Sequence, residues 1–291
     1  MRTVRAPATS ANLGSGYDTF GVALDRPADI VSVERAKRTT IEVTGAGAQF
    51  IPEDPEKNTV GAVARALDAP AHIKIDKGVR PASGLGSSAA SAAGAALALN
   101  DLYDRGYTRE ELVPIAAEGE AVVSGAAHAD NVAPALLGGF TIATTDGVHS
   151  VPTDVPLVAC LPEEPISTRD AREVVPQSVS MEEMVRTVGN AATLTVGMCR
   201  SDPELVGRGM ADEVVTPHRA TLITGYDDAA TAAREAGAYG VTVSGSGPGV
   251  LAVCPANRRR AVAGAMVEAF AENGENARAY RTKVGEGATF V

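Results

Sequence analysis

The chain of 291 residues has no tryptophan, 4% aromatic residues and three cysteines. Cys160, Cys199 and Cys254 are odd in number and form no C-x-x-C pair, which excludes a disulfide framework and a cysteine-built zinc site. They are expected to be buried thiols of a reducing compartment. Lysine is also scarce: five lysines stand against 21 arginines, and the 26 basic side chains face 36 acidic ones, for a formal charge of −10. That balance argues against a nucleic-acid partner. No apolar run approaches the roughly 20 residues of a membrane helix, and the opening MRTVRAPATS lacks the apolar core of a signal peptide. A soluble cytoplasmic protein, on no membrane, is the expectation.

What is abundant points to a packed globule. Hydrophobic residues make up 45% of the chain and charged residues 21%, enough for a core without staples and too apolar for wholesale disorder. The length suits one large domain or two ordinary ones. Alanine and arginine in excess over lysine have two explanations, GC-rich coding and an acidic surface adapted to strong salt.

Alternating apolar residues at Ile30–Val33, Ile41–Val43 and His72–Ile75 read as strands in the first quarter. The Ala-rich segment from Ser87 to Tyr103 reads as a closely packed helix. Two capping boxes, Thr108 with Glu111 and Ser180 with Glu183, open helices towards Val123 and Met198. Strands follow at 157–161, 241–243 and 250–253, then a helix over 257–272 and a strand over 277–283. Mixed elements without regular βαβ alternation predict an α+β fold. The Pro-rich stretch 151–165 marks a boundary, giving domains 1–155 and 156–291.

The segment Pro81-Ala82-Ser83-Gly84-Leu85-Gly86-Ser87-Ser88-Ala89-Ala90-Ser91 carries the most chemistry. Two glycines around Leu85 permit a sharp turn and close approach to a ligand, and the following helix offers unpaired N–H groups to an anion. Ser87 and Ser88 fall where hydroxyls cap a helix, touch phosphate or complete a Mg²⁺ shell. Neither the Walker A pattern nor G-x-G-x-x-G is matched. On spacing alone, a glycine turn with a serine cap explains the segment equally well.

This segment resembles the nucleotide loop of the GHMP kinases, the superfamily of galactokinase, homoserine kinase and mevalonate kinase. Pro7-Ala8-Thr9-Ser10-Ala11-Asn12-Leu13-Gly14-Ser15-Gly16-Tyr17-Asp18 and Val243-Ser244-Gly245-Ser246-Gly247-Pro248 resemble its first and third motifs, in the family's order. Residues 127–139, 167–172 and 217–220 are most similar to the homoserine kinase branch. The resemblance implies a ribosomal-S5-like nucleotide domain followed by a ferredoxin-like domain, with MgATP and L-homoserine as substrates and a homodimer by family habit.

By the same resemblance, Asn12, Asp18, His128, Asn131, Arg172 and Arg219 line the substrate pocket, Asp18 facing the ammonium and the two arginines the carboxylate. Arg169 is the alternative to Arg172. ATP is assigned to residues 81–91, with Asn58 near the adenine. Mg²⁺ is assigned to Ser88 and Glu120. A physical observation adds to that pair: on a helix after Thr108, Leu112, Ile115, Ala116, Gly119 and Val123 form a stripe, Glu118 points away, and Glu120 lies on its edge, where a carboxylate calls for a cation. Asn131 stands near the reacting position with Asp130 as an alternative, and no lysine falls inside the three motifs, so positioning and electrostatics are expected to carry catalysis. Another GHMP kinase, on mevalonate-pathway compounds or shikimate, and a non-catalytic sensor on this fold are the competing readings.

The acid excess and lysine shortage predict activity that persists in, or requires, molar KCl. Assay and melting curves across KCl concentrations check this; full activity and an unchanged Tm in dilute buffer would contradict it.

Overall fold

The computed structural model describes residues 1–124 and 129–291, and for 122–124 the backbone alone. The chain opens with β1 (Arg2–Ala11), which pairs antiparallel with the long β2 (Phe20–Arg35). β3 (Thr40–Gly45) runs parallel to β4 (Ala71–Lys77), and β4 pairs antiparallel with the second half of β2. The first part of β2 takes β5 (Phe140–Thr144), which turns into β6 (Gly147–Val151). Period-2 burial dictates this sheet: Val4, Ala6 and Ala8 on β1, Val31 and Val33 on β2, and Ile73 and Ile75 on β4 all point to one core.

Four helices cover that core: α1 (Thr59–Ala66), α2 (Ser87–Leu102), α3 (Arg109–Ser124) and α4 (Ala129–Leu137). α2 lies centrally, against β1, β2 and the other three helices. Its small side chains allow this. A Cβ on Gly94 would stand 2.8 Å from Val31 Cγ2 and 3.2 Å from the Ala6 Cβ, so strand and helix are already in contact there. Both Thr108–Glu111 and Ser180–Glu183 form reciprocal capping boxes as expected.

A second, antiparallel sheet begins with β7 (Pro156–Pro162) and contains β8 (Gly240–Val243), β9 (Val250–Val253) and β10 (Ala277–Lys283) in the order β10-β7-β9-β8. Between β7 and β8 come α5 (Thr168–Glu173), α6 (Met181–Arg200), α7 (Pro203–Gly209), α8 (Thr216–Ala220) and α9 (Tyr226–Glu235). α9 and α10 (Arg259–Glu272) cover this sheet over a second core that includes Val158, Met266 and Phe270. The chain then returns to the first sheet: β11 (Thr289–Phe290) pairs with β1, and Val284 and Glu286 bridge to Leu24 and Gly138.

Two expectations change. β1 carries no visible strand signal, because its inward residues are mostly alanines and Pro7 interrupts the pattern; the register shifts just there, between Pro7 and Thr9. Cys160 and Cys254 are buried, but Cys199 is exposed on the outer face of α6. Among the described residues, no helix is long and apolar enough to cross a membrane.

Candidate active site

The three glycine-containing motifs converge at one end of the two sheets. At the end of β1 the backbone enters the left-handed region at Asn12 (φ 71°), Leu13 (φ 50°) and Gly14 (φ 76°), and again at Asp18 (φ 52°). Such conformations persist in non-glycine residues only where the surroundings hold them. Here Asn12 does the holding: its Oδ1 accepts from the Asp18 N–H at 2.9 Å, and its Nδ2 donates to the Gly245 carbonyl at 3.0 Å.

The second motif is held from both sides. The Thr9 N–H donates to the Leu85 carbonyl at 3.1 Å, the Gly249 N–H to the Ser83 carbonyl at 3.1 Å, and the Ser244 hydroxyl to the Gly84 carbonyl at 2.7 Å. Gly84 and Gly86 are both left-handed, and neither position has room for a side chain. A Cβ on Gly84 would lie 2.5 Å from the Ser244 carbonyl oxygen, and one on Gly86 would lie 2.0 Å from Thr9 Oγ1.

α2 starts directly after Gly86, which caps it without a side-chain hydrogen bond. The first-turn N–H groups are therefore left to face a ligand. Ser87 Oγ donates to the Val79 carbonyl at 2.7 Å and fixes the loop. The Ser83 hydroxyl is buried with no partner in the chain, while Ser83 lines the cleft. Leu85, Ala89 and Ala90 turn their side chains into the core, so what they offer a ligand is backbone.

Ser88 Oγ donates to Glu120 Oε2 at 2.7 Å. Glu120 is 5% exposed, deeper than the stripe-edge expectation, because the buried face of α3 includes Val113 and Ala117 as well as Leu112 and Ala116. Glu118 is exposed, as expected. Burial pushes the Glu120 carboxyl up to about 7, against the Ser88 hydrogen bond and the Lys77 charge. Among the described residues no group of three or more His, Cys, Asp or Glu could hold a metal. The oxygen pair of Ser88 and Glu120 therefore suits a hard cation that keeps its waters and shares phosphate oxygens.

The sequence reading found no lysine for this site; the structure supplies Lys77. Its ammonium is buried at the end of β4, ion-paired with Asp29, and donates to the Ser87 carbonyl at 2.7 Å and to Ser91 Oγ at 2.9 Å. Asp29 Oδ1 in turn accepts the N–H groups of Gly78 and Val79 at 3.1 and 3.0 Å. Burial lowers the Lys77 pKa, opposed by Asp29. A signal was available: carrying the alternation of β2 back to Asp29 and of β4 on to Lys77 puts opposite charges at adjacent inward positions, which only a buried pair satisfies.

Away from the loop, α5 and α8 contribute the arginines. Arg172 forms a two-point ion pair with Asp18, Nη1 to Oδ2 at 3.2 Å and Nη2 to Oδ1 at 3.3 Å. Arg169 instead pairs with Glu173 on the exposed side of α5. Arg219 is buried, donates to the Ala171 carbonyl at 3.0 Å and the Gly245 carbonyl at 2.7 Å, and lies 5.1 Å over the Tyr17 ring. Asn131, on α4, accepts the Thr9 hydroxyl at 3.1 Å. Its neighbour Asp130 is buried, and desolvation, then the Asp18 charge, raise its carboxyl to about 6. Asn58 caps α1 through Val60 N–H and donates to the Pro52 carbonyl. His128 lies outside the described residues.

Asn12, Asp18, Asn58, Ser88, Glu120, Asn131, Arg172 and Arg219 all line one cleft of ≈ 490 Å³, together with Lys77 and the 81–91 loop. That volume suits a small-molecule site. One end is a phosphate-sized cradle; the other is a pair of fixed opposite charges.

Both raised carboxyls give the folded chain protons that the unfolded chain releases at lower pH. Their contribution to stability is full at low pH and is lost as pH rises through their folded values. Without nucleotide or divalent cation, Glu120→Gln should gain unfolding free energy over the parent between pH 5 and pH 8, by up to about 3 kcal/mol. Urea melts at both pH values check this, and a difference independent of pH would contradict burial as the cause.

Comparison with known proteins agrees with this geometry. Residues 57–139 match the family GHMP kinases N terminal domain, and residues 194–274 match GHMP kinases C terminal. The chain is 70% identical over 291 residues to a homoserine kinase of Halorubrum lacusprofundi, covering 100% of this chain and 99% of the relative. It is 73% identical over 289 residues to one of Haloquadratum walsbyi, covering 99% of each. The crystal structure of homoserine kinase from Cytophaga hutchinsonii superposes with a TM-score of 0.90 at 34% identity, over 100% of this chain and 97% of that one. The chain belongs to the GHMP kinases, in their homoserine kinase family.

Proposed function

We propose that this cleft transfers the γ-phosphoryl group of ATP to the terminal hydroxyl of L-homoserine, giving O-phospho-L-homoserine and ADP, the step before threonine synthesis. The observation that carries the substrate assignment is the Asp18–Arg172 pair. A carboxylate and a guanidinium that face each other across the cleft complement the ammonium and carboxylate of an α-amino acid. Mevalonate and shikimate carry a carboxylate without an ammonium and would leave Asp18 unmatched beside an anion.

The residues divide the work by position. Arg172 and Asp18 exchange their mutual contact for the substrate's two charges and so orient its side chain towards the loop. Arg219 ties Ala171 of α5 to Gly245 of the third motif and so fixes the distance between the charged end and the phosphate end. The uncapped first turn of α2 and the buried Ser83 hydroxyl receive phosphate oxygens. Ser88 and Glu120 would hold Mg²⁺, which supplies charge neutralisation to the phosphates when bound. Asn131, oriented by Thr9, reaches the region of the reacting hydroxyl. An amide cannot take up a proton, so alignment and electrostatics carry the rate, as a loose phosphoryl transition state permits. Asp130 is the carboxylate at hand should a proton acceptor be used.

The assay that tests the reading is ADP release with homoserine, mevalonate, shikimate and galactose in parallel; turnover only with homoserine is expected, and preference for another substrate would overturn it. Ser88→Ala and Glu120→Ala should each lower kcat by about 100-fold or more with the fold intact, whereas exposed Glu118→Ala stays near the parent. Equal effects of the two Glu changes would contradict the metal assignment.

Arg172→Ala should raise the homoserine KM by about 10- to 100-fold, the worth of a charge-assisted contact, while the KM for ATP stays put. An unchanged homoserine KM would place the carboxylate elsewhere.

A further inference from the structure

The family resemblance implies a homodimer but names no surface for it. Twelve large hydrophobic residues are exposed among the described residues, and six of them, Val179, Met181, Met184, Val185, Val188 and Val196, lie on α6 or just before it. The others are mostly scattered or at the chain ends. Single exposed apolar residues are ordinary, whereas a contiguous set marks an interaction surface.

The geometry of α6 makes the set contiguous. At about 100° per residue, Met181, Val185, Val188, Ala192, Val196 and Cys199 fall on one stripe, opposite the face that buries Leu194, Gly197 and Met198. No residue from Met181 to Asn190 is buried, so half of this 20-residue helix stands clear of its own chain. Its anchorage there is polar: Arg186 bonds Glu182 and Glu213, and Asn190 Nδ2 donates to the Ala211 carbonyl at 2.9 Å.

We propose that α6 packs antiparallel against α6 of a second copy of this chain. Three observations select that occupant. The stripe is bulky at its start (Met181, Met184) and small at its middle (Gly189, Ala192), and a two-fold axis near residue 190 sets Met184 against the partner's Val196 and Val188 against the partner's Ala192. Glu182 and Arg200 lie on the same flank of the stripe at opposite ends, so the same axis brings Glu182 beside the partner's Arg200, with helix dipoles opposed. The charges on α6, Glu182, Glu183, Arg186 and Arg200, cancel, although the chain carries −10; this face alone approaches its copy without net repulsion. It has no lysine to attract an anionic membrane. The inference is independent of the phosphotransfer reading, since it is tested without substrate.

Sedimentation equilibrium should give the parent a mass twice the 29.7 kDa chain. Val188→Glu, at an exposed position, should give the mass of one chain with its melting curve retained, and Tyr107→Glu, an exposed aromatic outside the stripe, should remain double. In a Cys199→Ser background, Val188→Cys with Ala192→Cys should form a disulfide-linked dimer on oxidation. A parent of single mass, a dimer that Val188→Glu leaves intact, or failure of the paired cysteines to link would each overturn the proposal.

Discussion

The site depends on three backbone turns that hold one another at hydrogen-bond distance. Asn12 and Arg219 both donate to the Gly245 carbonyl, Thr9 donates to Leu85, Gly249 to Ser83, and Ser244 to Gly84. No side chain at position 84 or 86 fits between them. Because the turns come from β1, the start of α2 and the β8–β9 connection, this lock joins both sheets. The return of the chain to β1 through β11 adds a second tie. Left-handed backbone at Asn12, Leu13, Asp18 and Ala82 is the local strain that the lock sustains, and it is concentrated at the ligand cleft.

An acidic chain that handles anions has to make its positive potential locally. It does so with groups that net charge does not reveal: an uncapped helix start, Arg172 and Arg219, and the buried Lys77. The ammonium of Lys77 has three acceptors within reach, Asp29, the Ser87 carbonyl and Ser91. It therefore acts on the cleft as a fixed charge under the first turn of α2, and it helps hold Glu120 in its ionised form. The scarcity of lysine in the sequence sharpens this point, since one of only five is completely buried beside the phosphate loop.

Most of the fold was legible where side-chain size alternates. β4, β7, β10, α2 and the two capping boxes stand where period and caps put them. β1 was not legible, because alanine carries too little apolar contrast to show a period. Among site residues, the motif glycines and Ser88 announce themselves by chemistry, and Glu120 by its place on a helix. Asp29 and Lys77 were hidden because each lies one step beyond an apolar run, where a charge normally signals the strand's end. The ion pair between Asp18 and Arg172 joins residues 154 apart in sequence, a relation no local pattern encodes. The exposure of Cys199 follows from α6 standing clear of its own chain, which composition alone gave no reason to expect.

The central claim is that the cleft selects a zwitterion and phosphorylates its hydroxyl. The most direct measurement compares kcat/KM for homoserine, 4-hydroxybutyrate and 3-aminopropan-1-ol, which share the alcohol and lack, in turn, nothing, the ammonium and the carboxylate. Each deletion leaves one member of the Asp18–Arg172 pair unmatched, and a loss of about 100-fold or more is expected for both analogues. Comparable kcat/KM for homoserine and either analogue would contradict the account.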